Sequence, residues 1–165
     1  MQARNADSLI ERLAAGLRAL QVEQPLMVGV LTGGVWIAER LHQMLQIEEP
    51  LGSLSINFYR DDFTRIGLHP RVLPSDLPFD VNDRNIILID DVLHTGRTIR
   101  AALNEIFDYG RPASVSLGVL VDRQGRELPI SPDVTAETIS LADNEHIKLT
   151  GPNPLNLVVQ KVQSN

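Results

Sequence analysis

Residues 86–98 read IILIDDVLHTGRT. Four aliphatic residues run directly into two adjacent acids, Asp90 and Asp91, and a small turn containing Thr95 and Gly96 follows. An aliphatic run of this length is a strand fit for burial on both faces. From Arg97 to Tyr109 the spacing becomes helical, and Gly110 and Pro112 end the helix. Strand, acidic pair, glycine turn and helix, in that order, describe one crossover of a parallel sheet. A polar site then stands at the carboxyl end of the strand.

The rest of the chain repeats this alternation. SLIERLAAGLRAL (8–20) is an amphipathic helix with Leu9, Leu13, Leu17 and Leu20 on one stripe, and Ser8 and Glu11 have capping-box spacing. LMVGVL (26–31) is a short strand. TGG (32–34) is a turn, and 35–46 is a helix with Val35, Ala38, Leu41 and Leu45 inward. SLSINFY (53–59) alternates as a strand does. Residues 60–84 hold Pro70, Pro74 and Pro78 among frequent charges and form a long loop of the kind that serves as a lid. SVSLGVLVD (114–122), VTAETIS (134–140), HIKLT (145–149) and LVVQK (157–161) are further strands. The expected architecture is a single α/β domain over 1–165, with a mainly parallel sheet flanked by helices. Thr32–Gly34, Asp90–Thr98 and Asp122–Arg126 lie at strand ends that face one cleft.

Composition narrows the function. The absence of cysteine excludes disulfides and thiolate metal sites and suits a reducing compartment. No signal-peptide pattern opens the chain and no run reaches a membrane span, so a cytoplasmic protein without membrane contact is expected. The net charge of −6 argues against a broad nucleic-acid surface. Thirteen of the fifteen cations are arginine, the side chain that grips phosphate bidentately.

The opening stretch has a chemistry of its own. HTGRT at the head of a helix offers backbone N–H groups and two threonine hydroxyls to an anion. Gly96 lets the backbone approach that ligand. The two carboxylates accept hydrogen bonds from hydroxyls or help hold a divalent metal. A sugar phosphate satisfies both halves. The nucleotide loops GxxxxGK[ST] and GxGxxG are absent.

IILIDDVLHTGRT resembles the phosphoribosyl-pyrophosphate signature of type I phosphoribosyltransferases, whose fold adds a flexible lid and a small hood to the central sheet. The resemblance implies that Ile86, Ile87, Leu88, Ile89, Asp90, Asp91, Val92, Leu93, His94, Thr95, Gly96, Arg97 and Thr98 form the phosphoribosyl-pyrophosphate site. Within it Asp90 and Asp91 hold the ribose hydroxyls, and the turn from Leu93 to Thr98 holds the 5-phosphate. Thr32, Gly33 and Gly34 fall at the pyrophosphate loop, and 60–84 at the lid. Four further motifs, NFYRDD (57–62), DLPFDVNDR (76–84), GRPAS (110–114) and VLVDRQGRELPI (119–130), are similar to the PyrR family. That family comprises pyrimidine-operon attenuation regulators that are also uracil phosphoribosyltransferases. It implies UMP and pyrophosphate as products, Mg²⁺ carried by the substrate rather than by a protein ligand cluster, and a homodimer or higher oligomer. It also implies Val121, Asp122 and Arg123 around the uracil, with Arg60, and in second place Arg71, meeting the leaving group. His94 either hydrogen-bonds the base or lines the turn, and lining is favoured.

Two departures bear on these expectations. Gly33 stands where such regulators often carry an arginine. Residues 131–147 hold Asp133, Glu137, Asp143 and Glu145 and no Lys or Arg, in a region where the regulators draw part of their basic face. RNA binding therefore ranks below catalysis. A 6-oxopurine enzyme ranks lower still, because His94 stands where those enzymes usually carry an acid.

Overall fold

The computed structural model describes residues 2–56 and 73–163. In chain order the elements are β1 (Gln2–Asn5), α1 (Asp7–Ala19), β2 (Leu26–Val30), α2 (Gly33–Met44), β3 (Gly52–Leu54), β4 (Asn85–Leu93), α3 (Arg97–Tyr109), β5 (Ser114–Arg123), β6 (Val134–Ile139), β7 (Glu145–Thr150) and β8 (Asn156–Lys161). The central sheet has the order β3-β2-β4-β5-β6, and all four pairings are parallel. This is the α/β arrangement that the strand–helix alternation predicts.

The strands at its centre are apolar because both faces are covered. Met27, Ile87 and Ile89 pack with α1 and α2 on one face, and Leu26, Val28, Ile86 and Leu88 pack with α3 on the other. Leu13, Ile37 and Leu41 are 0–2 % exposed, and burial of each such side chain contributes about 1.5–3 kcal/mol relative to exposure. Helix α2 lies very close to β2: a Cβ on Gly29 would stand 2.9 Å from the Gly34 carbonyl oxygen and from Val35 Cα. This approach fixes where α2 begins, and therefore where Thr32–Gly34 sits.

A second, three-stranded antiparallel sheet of order β1-β8-β7 forms the hood. Leu149, Leu155 and Leu157 anchor it in the core on the α1–α2 side, and Ala6 N–H donates to the Leu155 carbonyl at 3.0 Å.

Several expected boundaries shift for physical reasons. The Ser8–Glu11 capping box does not form. Ser8 lies inside α1, and the Asn5 carboxamide oxygen instead accepts from Asp7 N–H at 2.7 Å. Leu20, the C-cap residue, is 38 % exposed and leaves the stripe. Helix α2 starts at Gly33 rather than Val35, and its buried face is Gly34, Ile37, Ala38 and Leu41. Strand β3 ends at Leu54, and residues 57–59 of the expected strand lie outside the described residues. The long loop divides. Residues 60–72, with Arg60, His69 and Arg71, lie outside the described residues, whereas Leu77, Phe79 and Val81 pack on the α3-side core and Asp76 bridges to Ser53. The part from Asp76 to Arg84 is thus docked chain rather than lid.

Candidate active site

Parallel strands carry their successors to one edge of the sheet, and three polar turns meet there. Strand β4 runs on to Leu93, so Asp90 and Asp91 lie within the strand and not at its end as the sequence suggests. Each acid bends back to the backbone just ahead of it. Asp90 Oδ1 accepts from Asp91 N–H at 2.8 Å, and Asp91 Oδ1 accepts from Val92 N–H at 2.8 Å. Charge-assisted bonds of this kind offset the repulsion between neighbouring carboxylates. Asp90 is buried at 5 % exposure, whereas Asp91 is half-buried.

The Thr32–Gly34 segment presses directly on this pair. The Leu31–Thr32 peptide is cis. A Cβ on Gly33 would lie 2.3 Å from Asp91 Oδ2, and one on Gly34 would lie 2.7 Å from the Ile89 carbonyl oxygen. Gly33 is therefore more than the loss of an arginine. Any side chain there meets the Asp91 carboxylate first.

The third element is the turn before α3. Gly96 caps the helix with φ 95°, a left-handed conformation suited to glycine. The Thr95 hydroxyl accepts from Arg97 N–H at 3.1 Å. The first N–H groups of the 13-residue helix have no partner within it, as at any helix start. Leu128 and Ile130 cover Gly96 from the side: a Cβ on Gly96 would stand 3.4 Å from the Cβ of each.

Strand β5 brings in Val121, Asp122 and Arg123, with Leu93 paired to Asp122 across the ladder. Val121 is fully buried, and Asp122 and Arg123 are half-buried. The Asp122 carboxylate accepts from Arg126 Nη2 at 2.9 Å. His94 is packed against the backbone of Gly125: a Cβ there would stand 2.6 Å from His94 Nε2. Burial, then the charge of Arg123, lowers the His94 pKa below its ordinary value, so the ring is neutral at pH 7. The structure thus brings Thr32–Gly34 against Asp90 and Asp91, and the 93–98 turn, which continues from those acids, against the end of β5 and the loop after it. Ile86–Ile89 are the buried strand beneath these elements and expose no side chain to a ligand.

No group of three or more His, Cys, Asp or Glu residues that could cage a metal occurs among the described residues. The two acids fit an ion that brings its remaining ligands with it, as Mg²⁺ does with water and phosphate oxygens. The sequence places Gly125 and Arg126 in a polar turn at a strand end but assigns no partners to them or to Glu127, because those partners, His94, Thr95 and Arg97, are about thirty residues away.

Residues 2–151 match the family model described as Phosphoribosyl transferase domain, the class of protein that this sheet and turn define. Among relatives, the Bifunctional protein PyrR of Nitrosococcus oceani is 60% identical over 164 residues, covering 96% of this chain and 93% of its own length. The protein of that name from Pseudomonas paraeruginosa is 57% identical, covering 93% and 92%. The chain belongs to the PyrR family. Solved structures with this fold include a hypoxanthine-guanine phosphoribosyltransferase of Bacillus anthracis, with TM-score 0.68, 14% identity, and coverage of 96% of this chain and 100% of that one. A purine phosphoribosyltransferase of Pyrococcus horikoshii has TM-score 0.62, 23% identity, and coverage of 81% of both chains. At such identities the likeness concerns fold alone. No helix among the described residues is long and apolar enough to cross a membrane.

Proposed function

We propose that the protein is a uracil phosphoribosyltransferase, joining uracil to phosphoribosyl pyrophosphate to give UMP and pyrophosphate. The observation that carries the sugar-phosphate half is Asp90 and Asp91 in one site with the amino end of α3 and the Thr32–Gly34 turn. Kinship to PyrR supports the pyrimidine half.

The reaction breaks the bond from the sugar's anomeric carbon to pyrophosphate and forms one to a ring nitrogen of uracil, which loses its proton. Positive charge develops on the sugar as pyrophosphate leaves, so positioning and electrostatics are the protein's tasks. Asp90 and Asp91 accept from the ribose hydroxyls and hold the ring. The backbone N–H groups and threonine hydroxyls of 95–98 hold the 5-phosphate. Thr32, Gly33 and Gly34 present backbone to the pyrophosphate, with Arg60 as a cation for the departing charge. Asp90 and Asp91 are the acids that would stand beside a Mg²⁺ carried in on the substrate, and that ion would supply charge neutralisation for the pyrophosphate. Because Arg126 engages the Asp122 carboxylate, the base meets the backbone of Val121–Arg123 rather than that side chain. Neutral His94, close against Gly125, lines this side of the pocket.

Purified protein with Mg²⁺ and phosphoribosyl pyrophosphate is expected to form UMP from uracil and no nucleotide from hypoxanthine or guanine in a chromatographic product assay. Product with the purines but not with uracil would overturn the assignment.

A second role, a UMP-responsive regulator acting through RNA, has the name "bifunctional" of its relatives in its favour. Charge opposes tight binding. Residues 131–147 carry no Lys or Arg, while Arg4 is paired with Glu137 and Arg12 donates to the Ala136 carbonyl. The expected result is weak binding to a pyrimidine-operon leader transcript, lost between about 50 and 200 mM salt in a gel-shift titration. A tight, sequence-specific complex at the higher salt would raise regulation above catalysis.

A further inference from the structure

The loop that follows β5 is fastened to the 5-phosphate turn at every level of its structure. The Arg126 guanidinium spans both: Nη1 donates to the His94 carbonyl at 2.7 Å and Nη2 to Asp122 Oδ1 at 2.9 Å. The Thr95 carbonyl accepts from two successive N–H groups, those of Glu127 at 2.9 Å and Leu128 at 3.1 Å. Gly125, at φ 126°, lets the chain pass close to the His94 ring, where a Cβ would stand 2.6 Å from Nε2. On the solvent side, Arg97 Nε donates to Glu127 Oε2 at 2.9 Å. The two pairs differ in environment. Arg97 and Glu127 are 68% and 53% exposed, whereas Arg126 and Asp122 are 26% and 17% exposed. An exposed pair of this kind contributes little, and a sheltered fork of fixed geometry contributes more.

We infer that Arg126 is a positioning residue that locks the 5-phosphate turn and the base-facing end of β5 into a single unit, so that the two substrates are held in register with each other. The inference rests on the phosphoribosyl-transfer reading above. Its physical basis is geometric. The 5-phosphate is held at 95–98 and the base at 121–123, and the distance between those subsites sets the alignment of the ring nitrogen with the anomeric carbon. Backbone pairing of Leu93 with Asp122 fixes the strands, but the turns extend beyond the last rung. There the backbone bonds of Glu127 and Leu128 to the Thr95 carbonyl join them, and Arg126 is the side chain that ties the His94 carbonyl of one turn to the Asp122 carboxylate at the end of β5. A lysine in its place has one nitrogen and cannot span both acceptors in that fork.

Arg126→Ala, Arg126→Lys and, as a surface control, Glu49→Gln, whose carboxylate pairs with Arg84, are to be compared by steady-state kinetics with uracil and phosphoribosyl pyrophosphate, alongside thermal melts and calorimetric titration with ribose 5-phosphate. Misplacement by about an ångström costs on the order of a hundredfold in rate. A fall in kcat of roughly ten- to a hundredfold is therefore expected for both Arg126 variants. The smaller change is expected in the KM of either substrate, and Glu49→Gln should stay within about twofold of wild type. Millimolar guanidinium should restore part of the turnover of Arg126→Ala but not of Arg126→Lys. Full activity in Arg126→Lys, or loss of activity that follows the melting temperature and resists guanidinium, would overturn the inference. Should the wild type make no nucleotide from any base while Arg126→Ala still weakens ribose 5-phosphate binding, the proposed function falls and the lock between the turns stands. Should the wild type be active and both Arg126 variants match it, the lock falls and the function stands.

Discussion

Asp91→Asn is expected to lower kcat/KM for phosphoribosyl pyrophosphate by about 10²–10⁴-fold, from the loss of charge-assisted hydrogen bonds to two hydroxyls at about 1.5–3 kcal/mol each. The substitution is nearly isosteric, and its one established backbone contact survives it. Asp91 Oδ1 accepts from Val92 N–H, and the asparagine oxygen can do the same. What changes is the charge and the second acceptor, Oδ2, which faces the Gly33 segment. An amide there offers N–H donors to a turn that already presents backbone donors to pyrophosphate. The melting temperature should remain within a few degrees of wild type, since Asp91 is half-buried and not part of the core. Steady-state kinetics together with a thermal melt decide the matter. Unchanged kinetics in a folded Asp91→Asn would remove the carboxylate from ribose binding. Asp90→Asn is a less clean probe, because Asp90 is 5% exposed and its loss would perturb packing as well as chemistry.

The fold is legible wherever pattern and burial agree. IILI and LMVGV are strands because nothing but a doubly covered sheet uses such runs between turn signals, and both are fully buried. Helix α3 is legible to the residue because Gly96 and Gly110 bracket an amphipathic stretch. Legibility fails where tertiary contact overrides local preference. The face of α2 turns to Ile37 because Gly29 and Gly34 draw its first turn onto β2, a contact with no local trace. Strand β1 escapes a sequence reading because QARN is exposed at every position and is held by distant partners, the pairing with β8 and the Arg4–Glu137 ion pair. Residues 76–84 look like loop in isolation, yet Val81 is 1% exposed against the core. The acids of the site are legible because their chemistry is local. Arg126 is not, since its partner His94 lies 32 residues away. The base is the least local feature of all. In the proposed mechanism it meets backbone, and backbone leaves no signature in residue type, so kinship rather than side-chain chemistry carries that assignment.

Gly34→Ala should damage both stability and activity, and Gly33→Ala activity alone. Both glycines lie in the first turn of α2, where helix propensity by itself favours alanine by about 1 kcal/mol. Sterics decide the opposite sign at Gly34. Its Cβ would stand 2.7 Å from the Ile89 carbonyl oxygen and 3.1 Å from Asp90 Cα, both backbone atoms of the central strand. Neither can yield without moving β4 or α2, and overpacking of this kind costs about 1–3 kcal/mol. A melting point lowered by roughly 2–12 °C follows for a domain of this size. The same movement separates the Thr32–Gly34 turn from the two acids, so turnover should fall on the order of a hundredfold. At Gly33 the first atom met is Asp91 Oδ2, at 2.3 Å, with the Asp91 Cβ at 3.3 Å. A carboxylate can rotate away at small cost to the fold. It then points away from the ribose, and Gly33→Ala should resemble Asp91→Asn in its kinetics while melting near the wild-type temperature. Thermal melts and initial rates on the two variants test the contrast. Wild-type stability in Gly34→Ala would mean that α2 stands further from β4 than described, and full activity in Gly33→Ala would mean that the orientation of Asp91 does not govern turnover.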